Sequence, residues 1–228
     1  MGRVPTTLLL AGGVAGPILF VLAFTVLGAI HPGYTPMRQF VSLLSLSDDG
    51  WTMTLAFLVS GCLVIAGAVG IRRSIRTGPG CRWIPRLTGA AGVGLVVAGI
   101  FPTDPLQGYP PGAPEGLPLS GSWHAGLHVL AALLIFVGLP MASFIAARRF
   151  AVDGLSGWMA YSVASGVVMV VANAATSASP GTVGLFPDIA GLLQRVSLIG
   201  GFGWLAAFCL LLLRARPMPV AAPPSAVR

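Results

Sequence analysis

His124 and His128 stand four residues apart at the start of a long apolar run, so on a helix both imidazoles project from one face, one turn apart. Counted from Trp123, His128 sits roughly 7 Å along the helix axis, at the edge of the hydrocarbon rather than in water. Three uses of such a pair are open. The rings can hydrogen-bond within the fold, can transfer protons or bind a substrate, or can hold a metal if a third ligand arrives from elsewhere. Asp104, at the end of the preceding apolar run, is the nearest third group. It lies in Pro102-Thr103-Asp104-Pro105, where the following proline restricts its backbone. It either caps a turn or aims its carboxylate at His124, which would fix that ring's tautomer. Asp104, His124 and His128 are therefore the catalytic candidates, in acid/base roles.

The binding candidates are basic or polar. Gln194 and Arg195 fall about a turn and a half into the last apolar run, roughly 9 Å deep by helical rise. A guanidinium at that depth must pair or reach outward. An ion pair with Asp104 or Asp188 would pin helices together, whereas a free fork would clamp a phosphate or carboxylate. Arg38, with Ser42 beside it, is the second basic candidate, its ordinary use being a lipid-phosphate contact. Tyr109 joins them from the segment Phe101 to His128, FPTDPLQGYPPGAPEGLPLSGSWHAGLH. Asp48 and Asp49 precede Gly50-Trp51 as an expected helix cap, and Asn173 is expected to bond between helices. The sequence holds no Walker motif, HExxH, GxSxG or CxxC, and no metal or cofactor is assigned.

The elements that must position these residues follow from composition. Of 228 residues, 55% are hydrophobic and only 8% charged, with a mean hydropathy of +0.88. Soluble domains carry about 25% charged residues, so this composition is that of an integral membrane protein. A helical span needs about 20 apolar residues, and six runs qualify: Leu8–Ile30, Trp51–Ile71, Ile84–Phe101, Trp123–Ala147, Trp158–Ala178 and Ile189–Leu213. The expected fold is all-α, a six-helix transmembrane bundle over residues 1–216 with a disordered tail at 217–228. Between His31 and Gly50, Met37, Phe40, Val41 and Leu44 recur at helical spacing, which predicts a short helix lying at the interface. The loop from Phe101 to Gly121 holds six prolines and no basic residue, a stiff cap rather than a tether.

The net charge of +7 comes from 13 arginines, with no lysine, clustered at the ends of apolar runs. Topology accounts for them better than a nucleic-acid partner does. Arg3, Arg72, Arg73, Arg76, Arg82, Arg86, Arg148, Arg149, Arg214, Arg216 and Arg228 map to one side and only Arg38 and Arg195 to the other. That asymmetry predicts both termini in the cytoplasm of a multi-pass cell-membrane protein. All three histidines and five of the six acids then map to the opposite, outer side. Cys62, Cys81 and Cys209 form no CxxC pair, and no feature specifies an oligomeric state.

Several of these segments together resemble the bacterial membrane proteins grouped as domain of unknown function 998. The resemblance rests on Arg38 to Ser42, Ser45-Leu46 before Gly50-Trp51, Phe101-Pro102-Thr103-Asp104-Pro105 with Gly108-Tyr109-Pro110-Pro111-Gly112, His124-x3-His128, Arg148-Arg149-Phe150 and Gly191-x2-Gln194-Arg195. It runs from about Ala11 to Arg214 and implies a six-helix membrane protein, with no activity attached. The expected function is a polar pocket at the outer helix ends that binds an amphipathic, lipid- or isoprenoid-like molecule, with Asp/His chemistry on it as the sharper form. Membrane lipids and such a small molecule are the expected partners. A transporter, sensor or accessory subunit is the alternative from another class, and a purely structural polar cluster is the third reading.

Overall fold

The computed structural model describes residues 4–116, 121–176 and 185–215. The expected tail at 217–228, Arg3, Arg216, Arg228 and Pro118 lie outside the described residues. Within them the chain is all-helical, with six helices long and apolar enough to span a membrane. These are α1 (Thr6–Ile30), α2 (Gly50–Ser74), α3 (Trp83–Ile100), α4 (Trp123–Val152), α5 (Ser156–Ala175) and α6 (Ala190–Arg214). Backbone groups in hydrocarbon must bond within their own segment, which is why the long apolar runs become uninterrupted helices.

Each helix packs on the next, and α6 closes the ring on α1. Close approach is possible where side chains vanish. A Cβ added at Gly61 on α2 would fall 2.8 Å from the Gly92 carbonyl oxygen on α3, so the two backbones touch there. Phe20 of α1 meets Phe57 of α2 at 4.9 Å and Phe202 of α6 at 5.3 Å between ring centres, filling the middle of the ring. Polar ties join α5 to α6: Trp204 Nε1 donates to Ser162 Oγ at 3.0 Å and Ser197 Oγ to the Met169 carbonyl at 3.0 Å. In an apolar medium such bonds hold helices that hydrophobicity cannot sort.

The bundle has two unlike ends. At one, Arg73 reaches the Val4 carbonyl at 2.7 Å and Arg149 the Thr77 carbonyl at 2.8 Å, tying the start of α1 and the α2–α3 loop to their neighbours. Arg149 also pairs with Asp153 at 3.4 Å. The segments 31–49 and 101–116 cover the other end.

Two local expectations change there. The segment predicted as an interfacial helix forms instead a short 3-10 turn, Val41–Leu46, tucked into the bundle. Val41, Leu43 and Leu44 are all buried, so the turn is enclosed by the helices around it rather than lying on a membrane surface. Asp49 does occupy the cap position of α2, but its side chain makes no capping bond. Its backbone carbonyl accepts from Thr52 N at 2.9 Å, and Ser47's carbonyl accepts from Gly50 N at 2.9 Å, so main chain does the work expected of the carboxylate.

Candidate functional site

The covered end is built from irregular backbone, and its carbonyls and amides must find donors and acceptors locally. Arg195, one turn and more into α6 and 8% exposed, is the largest donor. Its Nη1 donates to the carbonyls of Pro36 at 2.6 Å, Gln39 at 3.0 Å and Gly191 at 3.1 Å, and its Nη2 donates to the Tyr34 hydroxyl. The guanidinium carbon stands 5.5 Å from the Tyr34 ring centre and 5.9 Å from that of Phe24. Among the described residues no carboxylate pairs with it. The partner expected from Asp104 or Asp188 is thus supplied by loop carbonyls. Gly191 makes this reach possible, since a Cβ there would fall 2.6 Å from the Pro36 oxygen.

Two glutamines lock the loops to each other. Gln39 accepts from Thr35 N at 2.6 Å and donates to the Gln107 carbonyl at 3.1 Å. Gln107 in turn accepts from Phe40 N at 2.9 Å and donates to the Arg38 carbonyl at 2.9 Å. Its own backbone is left-handed, with φ at 55°, a conformation that costs a non-glycine residue about 1 kcal/mol and is held here by that pair of amide bonds. Gln194 accepts from Val41 N at 2.7 Å. Arg38 pairs with Glu115 of the proline-rich loop at 2.6 Å, in an exposed position. Tyr109 packs edge-on against Tyr34, ring centres 5.2 Å apart. Burial pushes both phenols up; the Arg195 charge and hydrogen bond work against this at Tyr34. Both remain neutral hydroxyls near pH 7.

Asp104 and His124 form a second group. Asp104 accepts from Ser122 N at 2.7 Å and from Ser122 Oγ at 2.6 Å, while the same Oγ accepts from Ala125 N at 3.2 Å and so caps α4. The Ser122 hydroxyl, then its amide, hold the Asp104 carboxyl below the usual carboxylate range. His124 Nδ1 lies 3.1 Å from the Pro102 carbonyl. A carbonyl only accepts, so Nδ1 carries the proton and Nε2, 4.0 Å from Asp104, has the lone pair in the neutral ring. Nδ1 also lies 3.0 Å from Ser122 Oγ, whose own proton goes to Asp104, so the Pro102 carbonyl and the Asp104–Ser122 pair both favour the proton on Nδ1.

His128 belongs elsewhere. Its Nδ1 donates to the Phe101 carbonyl at 2.9 Å, and the ring is buried against Phe57. It lines a cavity of about 40 Å³ between the 3-10 turn and the helices, where Ser42 and Gln194 are the other polar members among Phe20, Phe57 and Phe136. The seven predicted site residues therefore sort into three places. Arg195, Arg38 and Tyr109 serve the interlocked loops, Asp104 and His124 the start of α4, and His128 shares the cavity with Gln194. Among the described residues, no three histidines, cysteines or carboxylates converge as a metal site. Tyr34, Gln39, Gln107 and Ser122 were not singled out from the sequence. Ser122 before Trp123 is a readable cap signal; the uncharged amides carry none.

A family model described as "Protein of unknown function (DUF998)" matches residues 14–211, and the chain belongs to that family. Comparison with curated proteins and with solved structures gives no match.

Replacing Arg195 by lysine keeps the charge but loses the fork, and should lower stability in detergent by about 2 kcal/mol, read as a fall in the thermal midpoint. An unchanged midpoint would contradict the carbonyl-bridging role. Asp104→Asn should cost about 1 kcal/mol at neutral pH. Because folding lowers this carboxyl's pKa, its contribution is complete above the unfolded value near 3.9 and is lost as pH falls through the folded one. Midpoints of the wild type and variant measured from pH 7 to pH 3 should therefore differ by a constant amount down to about pH 5 and narrow progressively as the pH falls below about 4. A gap as large at pH 3 as at pH 7 would show that the charge is not what matters.

Proposed function

We propose that this DUF998 member binds an amphipathic molecule, its polar tip entering the cavity at His128 and its apolar remainder lying along the bundle. The observation that carries this is the state of His128. Its ring, held by the Phe101 carbonyl and facing a second carbonyl from Ala98, stands with Ser42 and Gln194 as the polar members of a lining that is otherwise apolar. Pockets that combine an apolar wall with a few polar groups suit such molecules. At about 40 Å³ the cavity has room for two or three waters or one hydroxyl-bearing tip. Ser42, Gln194, Ala132 and Phe136 along it are half-buried, so the cavity is not sealed from the outside.

Any proton exchange with the guest would run through the His128 ring, the titratable group of this lining. Asp104 and Arg195 support a framing role better than a reacting one, because their polar atoms are occupied by Ser122 and the 36–39 carbonyls, and His124 stands beside Asp104 at the start of α4, outside the lining of the cavity. The eight described arginines at one end against two at the other further support a cytoplasmic arginine end and an outward-facing covered end, in the cell membrane.

Ala132→Phe fills the cavity without touching the hydrogen-bonded frame. Binding of a radiolabelled C20 isoprenoid alcohol to the purified protein should weaken at least tenfold in this variant, with an unchanged thermal midpoint. Equal binding by wild type and variant would overturn the reading. For orientation, an impermeant thiol reagent applied to intact cells should label Glu115→Cys and spare Thr77→Cys in a background lacking the native cysteines; the reverse pattern would invert the assignment.

A further inference from the structure

The arginine end carries a feature that topology alone does not require. Between α2 and α3 runs an open groove of about 710 Å³, within the size range of small-molecule sites. Its floor is apolar, including Ile65 and Val69 of α2 and Pro85 of α3. Its rim is four arginines: Arg72 and Arg73 at the end of α2, Arg82 and Arg86 at the start of α3.

The positive-inside tendency explains why arginines gather at this end, but it would be satisfied by side chains spread evenly around the rim. Here four of them face one apolar groove. Their own bonding leaves capacity to spare. Arg73 gives Nη1 to the Val4 carbonyl at 2.7 Å, Arg72 makes a long bond of 3.4 Å to the Cys81 carbonyl, and Arg86 stands 5.5 Å from the Trp83 ring centre. Among the described residues none of the four pairs with a carboxylate; the acid at this end, Asp153, is taken by Arg149. Arg72, Arg82 and Arg86 are exposed, and Trp83 is 57% exposed beside them, at the level where an indole marks the membrane surface.

We infer that this groove holds an anionic phospholipid of the adjoining leaflet. Guanidinium forks match the two free oxygens of a phosphodiester, and basic pockets between spanning helices are where such headgroups dock. The acyl chain then lies over Ile65 and Val69, which the groove presents along the same line. The charge selects an anionic headgroup over a zwitterionic one, and the apolar floor selects a lipid over a free anion.

The test uses the purified full chain and native mass spectrometry of lipid adducts, with dioleoyl phosphatidylglycerol and dioleoyl phosphatidylcholine titrated separately. Phosphatidylglycerol should bind at least tenfold more tightly. Arg82→Gln with Arg86→Gln should reduce it to the phosphatidylcholine level. Arg148→Gln with Arg214→Gln, which removes the same charge from the same end but outside the groove, should leave it within twofold. Val69→Trp fills the floor while keeping every arginine and should abolish the preference too, which separates the groove from charge in general. The inference fails if the two double variants lose binding equally, if Val69→Trp binds as the wild type does, or if sodium phosphate at equal concentration displaces the lipid. That last result would identify a site for a water-borne anion.

Discussion

A guanidinium buried at the edge of the hydrocarbon, with backbone carbonyls for partners, is the constraint around which the covered end is arranged. The segment between α1 and α2 is neither helix nor sheet for much of its length, so its carbonyls have no ladder to join. Leaving them bare near a bilayer costs several kcal/mol each. Arg195 meets two of them, those of Pro36 and Gln39, and its charge is spread over those dipoles and over the Tyr34 and Phe24 rings. One side chain thereby solves two costs at once, its own desolvation and that of the loop.

The rest of the end follows from that seat. With 36–39 held against α6, Gln39 and Gln107 can exchange bonds between the two loops, and Gln194 can receive Val41 N at the head of the 3-10 turn. The turn then packs its leucines inward and leaves Ser42 at the margin of the His128 cavity. On the far side of that cavity, Asp104 and Ser122 fix the start of α4 and with it the direction of both imidazoles. The polar residues act as a frame around a small opening, and only a few of them line it.

How much of this was legible beforehand differs by scale. Six spans could be read from hydropathy, to within a few residues at most ends, because hydrocarbon admits little else than long apolar helices. For Asp104 the residues left a turn cap and a partner for His124 both open, and the carboxylate binds Ser122 at the head of α4 while standing 4.0 Å from His124. The partners of Arg195 could not be read. Charge invites a search for opposite charge, whereas the loop's irregular backbone offered carbonyls that no residue letter announces. Tyr34, Gln39 and Gln107 escaped notice for the same reason: neutral amides and phenols give no periodic or charge signal, and their value arises only when two loops 68 residues apart meet. The apolar pattern of 37–44 was real, but a 3.6-residue period fitted to so few positions cannot be told from a tighter turn buried on more than one side.

The ring of helices closes through α6, and α6 is also where Arg195 resides. A ribosome delivers Pro36 and Gln39 early and this arginine late, 159 and 156 residues afterwards. Until translation is nearly complete, the carbonyl of Pro36 lacks its guanidinium donor and that of Gln39 has only the Tyr34 hydroxyl. Assembly of the earliest loop is thereby made conditional on the arrival of the final span, since the carbonyls of Pro36, Met37 and Arg38 take donors, respectively, from Arg195, Leu192 and Gly191 of α6.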